Sequence, residues 1–257
     1  MLNNMMPYAV LDIETIRDFD LPAGAEPEFK PRANTKDPAK IEAQRQKFEL
    51  GLDKTMALDP FFCHIVGVGG LVVRGGEREE FWFENTTGEW DDRVHLLEGA
   101  WDFVRRQFDA KRPLVTFNGY HFDLPAMNWQ AAKHNVAVPF QLSEMWTRRG
   151  TATHYDLMQI LAMWNPKNWY SLGFWLNYYG LGEKLGGLDG SQVLPMWREG
   201  RYEELRQYCL QDCHMTANLF ERIAPWVASG PGRQIEPLPM ISWAVGSIDA
   251  ALDAVNA

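Results

Sequence analysis

The sequence predicts an α/β fold, a mixed β-sheet backed by helices. Three observations carry this. Short apolar runs bounded by turn residues read as strands, and segments with apolar residues at helical spacing lie between and after them. The composition, 46% hydrophobic and 13% aromatic over 257 residues, can bury a core large enough to offset chain entropy, which excludes a disordered chain.

The elements follow in order. PYAVLDI, from Pro7 to Ile13, has the pattern of a central buried strand, and Asp12 breaks the apolar run where that strand should end. From Asp20 to Pro60 the composition shifts to Pro, Ala, Lys and Glu. The turn-rich DLPAGAEPEFKPRANTKDP is followed there by a helical pattern from Ala39 to Met56, which Asp37-Pro38 suits as a start. Residues of about 20–60 therefore form a partly helical insertion after the first strand. His64 to Val73 and Glu79 to Glu84 read as a hairpin joined at Arg74-Gly75-Gly76-Glu77. Val94, Leu97, Trp101, Val104 and Phe108 form one helical stripe, and PLVTF, from Pro113 to Phe117, returns to strand. Leu124–His134, Asp156–Met163, Ser171–Tyr179 and Arg201–Ala224 each read as helices. The expected organisation is one domain over 1–230 and a tail over 231–257, with a short helix near Ser247 to Val255.

Lys and Arg number 25 against 34 Asp and Glu, a formal charge of −9, which argues against coating duplex nucleic acid by general electrostatics. It is compatible with a confined strand-end site whose clustered carboxylates are offset by divalent cations. No stretch approaches the roughly 18 apolar residues of a membrane span, and Met1 to Val10 lacks a leader pattern, so a cytoplasmic chain without membrane contact is expected. Cys63, Cys209 and Cys213 are too few for a disulfide framework, and with His64 and His214 they lack the close CxxC or HxxxH pairs of zinc sites. They read as reduced, packed thiols.

Asp12 and Glu14 lie two apart at the expected strand end, so their side chains project to one face. Like charges held so close call for a cation or proton, unless the strand has already ended and both are solvated. Asn118-Gly119 follows the PLVTF strand and Phe122-Asp123-Leu124-Pro125 opens a helix. Asp123 there is either a helix N-cap or a carboxylate at the sheet edge where α/β sites form. Tyr208 and Asp212, four apart, share a helix face. Asp156 is either a peripheral acid of the site or the cap of its helix, and the cap is favoured. The aromatic series Trp164, Trp169, Tyr170, Phe174, Trp175, Tyr178 and Tyr179 suits either base stacking or core packing, and its four-residue recurrence favours the core.

Together, Asp12-Ile13-Glu14, Asn118-Gly119-x-x-Phe122-Asp123 and Tyr208-x-x-x-Asp212 resemble the three motifs of the DEDD superfamily of 3′-5′ exonucleases. The tyrosine branch is favoured, since Gln207 stands where the histidine branch has His. Within it the chain resembles the predicted exonucleases related to the proofreading domain of family-B DNA polymerases. KDPAKI (Lys36–Ile41), ALDP (Ala57–Pro60) and LDGSQV (Leu188–Val193) are further similarities. The resemblance implies a ribonuclease H-like fold and a two-metal site of Asp12, Glu14, Asp123 and Asp212. It further implies Mg²⁺, replaceable by Mn²⁺, with Tyr208 orienting the attacking water. The implied reaction removes nucleotides from the 3′ end of DNA, preferably single-stranded. Thr15, Asn118 and Phe122 are implied to seat the terminal nucleotide, and Lys30, Arg32, Lys36 and Lys40 of the insertion could guide the strand. An exoribonuclease of the RNase D kind and an inert nucleic-acid-binding protein of the same fold are the alternatives.

Overall fold

In the computed structural model, described here over residues 6–22, 24–138, 153–182 and 190–227, the sheet has five strands in the order β3-β2-β1-β4-β5. β2 (Cys63–Arg74) pairs antiparallel with β1 (Tyr8–Arg17) on one side and with β3 (Glu77–Glu84) on the other. β4 (Leu114–Thr116) and β5 (His154–Asp156) run parallel to β1 on its other side. This is the ribonuclease H-like arrangement that the motifs imply. The β2–β3 turn is as expected: Gly75 and Gly76 both take positive φ, 58° and 93°, which a two-residue hairpin requires.

β1 is longer than its apolar run. It continues past Ile13 to Arg17, so Asp12 and Glu14 lie inside the strand rather than at its end. The reason is pairing: β2 stays hydrogen-bonded alongside to Cys63, with one irregularity between Glu14 and Thr15. β4 pairs with Ala9 and Val10 of β1, and among the described residues no strand lines the other edge of β1 beyond that point. Backbone partners can thus compensate for polar side chains that break an apolar pattern.

The two faces of β1 serve different layers. Ala9, Leu11 and Ile13 pack into a core with α2 (Trp90–Asp109) and α3 (Asp123–Lys133), around the buried Trp101, Phe103 and Leu124. Ile16, on the other face, joins Val66, Leu205 and Tyr208 in a smaller cluster that includes Val193 and Met196 of α6 (Val193–Arg198). α7 (Tyr202–Val227) covers this face. Tyr8 donates its hydroxyl to Glu221 at 2.8 Å, and Arg78 of β3 donates to Asn218 and Glu221.

The insertion carries α1 (Pro38–Ala57), capped as expected by Asp37, whose carboxylate accepts Ala39 N–H. Of its side chains only Met56 is buried. α4 (Leu157–Leu161) is capped by Asp156 and α5 (Leu172–Tyr178) by Ser171. The short strand β5 and helix α6 lack a periodic signature in the sequence, three and six residues being too few to show one.

The aromatic series corrects its expected place in the core. On α5 only Leu176 is buried, while Trp164, Trp169, Tyr170, Phe174 and Tyr178 are between 38% and 62% exposed. Four-residue recurrence marks one face of a helix without fixing which face turns inward. The chain divides into two compact units, Met1–Arg222 and Ile223–Ala257, and the second lies outside the described residues beyond 227. The expected tail over 231–257, its helix near Ser247, and part of LDGSQV also fall outside them.

Candidate active site

The site forms where α7 meets the middle of β1 and β2. Asp12 pairs with Gly69, which has no side chain. A Cβ at Gly69 would lie 2.8 Å from Cys209 Sγ and 3.1 Å from Cys213 Sγ, so glycine is what lets α7 approach this closely. About 16 Å of helix separates Cys209 from Phe220, and about 13 Å of strand separates Asp12 from Tyr8. Tyr8 stacks edge-on against Phe220, so α7 runs alongside β1 in the opposite direction. That places the Tyr208–Asp212 turn at the height of Asp12 and Glu14.

Asp12 and Glu14 do share one face, and with Cys209 they offer ligand atoms all within 4.8 Å of one another. The Cys209 thiol donates to the Asp12 carboxylate at 3.6 Å and to its backbone carbonyl at 3.7 Å. Burial above all, then Cys213, Asp12 and Glu14, raises the Cys209 thiol well above its ordinary range, so it remains a protonated donor. Cys213 has a hydrogen bond with Cys209 that favours its thiolate. Burial and the surrounding Asp12, Asp212 and Glu14 nevertheless raise it too. Asp212 is half-buried, with Oδ1 fully shielded from solvent.

Asp123 enters from the other edge. It is the first residue of α3 and not its cap: Phe122 holds the N-cap position and makes no side-chain cap hydrogen bond. The Asp123 carboxyl instead lies close enough to the Ile13 N–H for that dipole to favour its charged form. Ala9 donates its N–H to Pro113 on the β4 side, and Ile13, four residues on, faces the same way. Asp123 thus occupies the position at which β4 has ended. Burial and the neighbouring Asp12 charge, with Asp156 further off, push its carboxyl well above the usual range.

The loop before Asp123 is built by Asp156. Its carboxylate accepts Asn118 N–H at 3.0 Å and Tyr120 N–H at 2.9 Å besides capping α4. Asn118 adopts φ 71°, a left-handed conformation that Asn tolerates. A Cβ on Gly119 would fall 2.4 Å from Thr116 Oγ1, so the Asn-Gly pair is required by the backbone. Asn118 Oδ1 is buried without a hydrogen bond. Phe122 packs on the α2–α3 core, and Thr15 donates its hydroxyl to the Ala57 carbonyl at 2.7 Å, tying the end of α1 to β1. The sequence reading missed the thiol beside Asp12 and the loop-holding role of Asp156. Cys209, one residue past Tyr208, was the available signal for the first.

Asp12 and Glu14 of β1 offer two hard oxygen donors that fit a divalent cation, with the Cys209 thiol and not Asp123 or Asp212 as the third group within 4.8 Å, while the Asp12 charge reaches Asp123 by raising its carboxyl.

Residues 58–228 match the family described as predicted 3′-5′ exonucleases related to the exonuclease domain of PolB. The chain belongs to this family. The PolB-related match includes Asp123, Tyr208 and Asp212, while β1 with Asp12 and Glu14 precedes it. No curated protein matches. Forty solved chains do, among them exonuclease I in its apo form, at 10% identity and a TM-score of 0.33. The alignment covers 84% of this chain and 41% of that one, so this chain spans less than half the length of exonuclease I. Among the described residues, no helix is long and apolar enough to cross a membrane.

Proposed function

We propose that the protein is a metal-dependent 3′-5′ exodeoxyribonuclease of the tyrosine branch, acting on single-stranded DNA or DNA 3′ ends. The observation that carries this reading is the meeting of Asp123 with β1 at Ile13, beside the Asp12–Glu14–Cys209 cluster. Acids distant in sequence and close in space have no packing rationale, and their repulsion is relieved by bound cations.

In this reading Asp12, Glu14 and Asp212 would hold one divalent ion, and Asp12 with Asp123 the other. Mg²⁺ suits these oxygen donors, and Mn²⁺ replaces it. Bound divalent ions supply an acidified water and charge relief on the phosphate. The chain does the rest. Tyr208, whose phenol is protonated near neutral pH in its ordinary state, holds the attacking water by a hydrogen bond rather than removing its proton. Thr15, Asn118 and Phe122 flank the acids and seat the terminal nucleotide, with the buried Asn118 Oδ1 as an acceptor awaiting a donor. The insertion lies beside them, held by Thr15 and by Arg17, which pairs with Asp53 and Glu26. Its exposed Lys30, Arg32, Lys36 and Lys40 guide the strand.

The test is digestion of matched DNA and RNA oligonucleotides labelled at the 5′ end, single-stranded and duplex, with Mg²⁺ or chelator. A chelator-sensitive ladder of shortened DNA, absent in Asp12→Ala, is expected. Equal or faster RNA shortening would assign the exoribonuclease alternative, and no shortening of either would leave a binding protein.

A further inference from the structure

The exposed rings of the 164–178 segment form two groups, one against the loop before Asp123 and one along α5, which meet in the sequence at the neighbouring Trp169 and Tyr170. Tyr120 lies edge-on to Trp164 with centroids 6.1 Å apart, and His121 is tilted against Trp169 at 5.1 Å. Both precede Asp123 by three residues or fewer. Along α5, Tyr170 stacks on Phe174 at 4.2 Å, and Phe174 and Tyr178 stand nearly parallel at 6.2 Å. Exposed aromatic rings concentrated in one segment mark an interaction site.

Two more features separate this surface from ordinary exposed packing. Met163 and Trp164 adopt successive left-handed conformations, φ 52° and 59°, which non-glycine residues avoid at a cost of order 1 kcal/mol each. The turn they make carries Trp164 to Tyr120. The segment itself is also free of the chain's prevailing charge: Leu157 to Gly182 contains no Asp or Glu, in a protein of net charge −9, and its one charged residue is Lys167. A polyanion that follows this segment meets no carboxylate belonging to it.

We propose that this aromatic surface is the track on which unpaired bases of the substrate strand stack, upstream of the nucleotide held at the acids. Stacking is the sequence-tolerant route to affinity, since every base has a π-face. It also suits an acidic chain with few cations to offer phosphates. The inference rests on the exonuclease reading for the polarity of the strand, and it selects single-stranded nucleic acid, because paired bases keep their faces within the duplex.

The deciding experiment compares the full chain with Tyr170→Ser/Phe174→Ser/Tyr178→Ser, and with the single Tyr178→Ser should the triple variant fail to fold. Binding of a fluorescent 20-nucleotide single strand is followed by anisotropy in chelator, and KM is measured with Mg²⁺ for the same strand and for a dinucleotide. The triple variant should bind the 20-mer at least about tenfold more weakly. Its KM for the 20-mer should rise at least about tenfold more than its KM for the dinucleotide. The single variant should shift both readouts in the same direction. The slope of affinity against salt should stay shallow in both proteins. Unchanged 20-mer binding, or equal losses on both substrates, overturns the proposal. So does wild-type self-association that the variant abolishes while keeping its affinity for the oligonucleotide, which would make the face a contact between copies. If the wild-type chain hydrolyses neither substrate, the exonuclease reading fails separately, and the anisotropy comparison still decides whether bases stack here.

Discussion

The Asp123 carboxyl lies against the backbone N–H of Ile13, on the edge of β1 that β4 leaves open beyond Val10. A side chain from α3 thereby stands where a strand would continue, and the carboxyl is brought beside Asp12. Asp123→Asn keeps an oxygen beside Ile13 and removes a buried like charge. The metal-free variant should be as stable as the parent or more so, by on the order of 1 kcal/mol. Turnover should fall by roughly a hundredfold or more. Denaturant unfolding in chelator and oligonucleotide hydrolysis in Mg²⁺ check the two halves. A variant that is both destabilised and active would make Asp123 a structural residue.

Tyr208 is buried among Ile16, Val66 and Leu205, so Tyr208→Phe preserves its packing volume. Stability should change by less than ~1 kcal/mol. If the hydroxyl orients water, kcat should fall ~10-fold to 100-fold, while the affinity for Mn²⁺ by calorimetry stays within about twofold. Parallel losses of kcat and metal affinity would place Tyr208 among the metal-holding groups instead.

What was legible in the sequence was local. Strand and helix periodicity, the Gly75-Gly76 turn and the Asp37 and Asp156 caps depend on neighbours within a few residues, and each stands where expected. The end of β1 was not legible, because β2 and not the apolar pattern decides how far it runs. The side of α5 that faces solvent was equally hidden, since a stripe of rings looks the same from either direction. For the site, the order of motifs suggested which carboxylates belong together. The approach of Asp123 to Ile13 and the Cys209 thiol on Asp12 are products of the parallel β1–β4 register and of the close α7 approach, neither of which a linear pattern encodes.

That close approach depends on Gly69. In Gly69→Ala the new methyl would meet Cys209 Sγ at 2.8 Å, and either α7 or β2 must shift. A loss of about 1–3 kcal/mol is expected by denaturant unfolding, with turnover reduced because α7 carries Tyr208 and Asp212. Cys209→Ala makes room for the methyl. The double variant should therefore recover at least half of the stability lost, a coupling that a double-mutant cycle measures. Strict additivity would show that α7 is not held off by this contact.

His64, buried at the start of β2, supplies a pH dependence independent of the acids. Asn85 Oδ1 accepts Gly88 N–H, so the Asn85 amide nitrogen faces His64 Nε2 at 2.9 Å and donates to it, which requires a neutral ring protonated at Nδ1. Burial first, and then the Arg93 charge, lower its pKa to about 3, against a partial opposing pull from Asp18. The unfolded chain takes up this proton near pH 6.5 and the folded chain does not, so the contribution is complete above about pH 6.5 and is lost as the pH falls toward 3. Between pH 7.5 and 4.5 the cost should be roughly 2–3 kcal/mol. His64→Gln can still accept from Asn85 but does not titrate. Denaturant unfolding at the two pH values should show a drop smaller by that amount in the variant, with the carboxylate contribution common to both proteins. An unchanged drop would mean that the unfolded and folded chains protonate His64 alike.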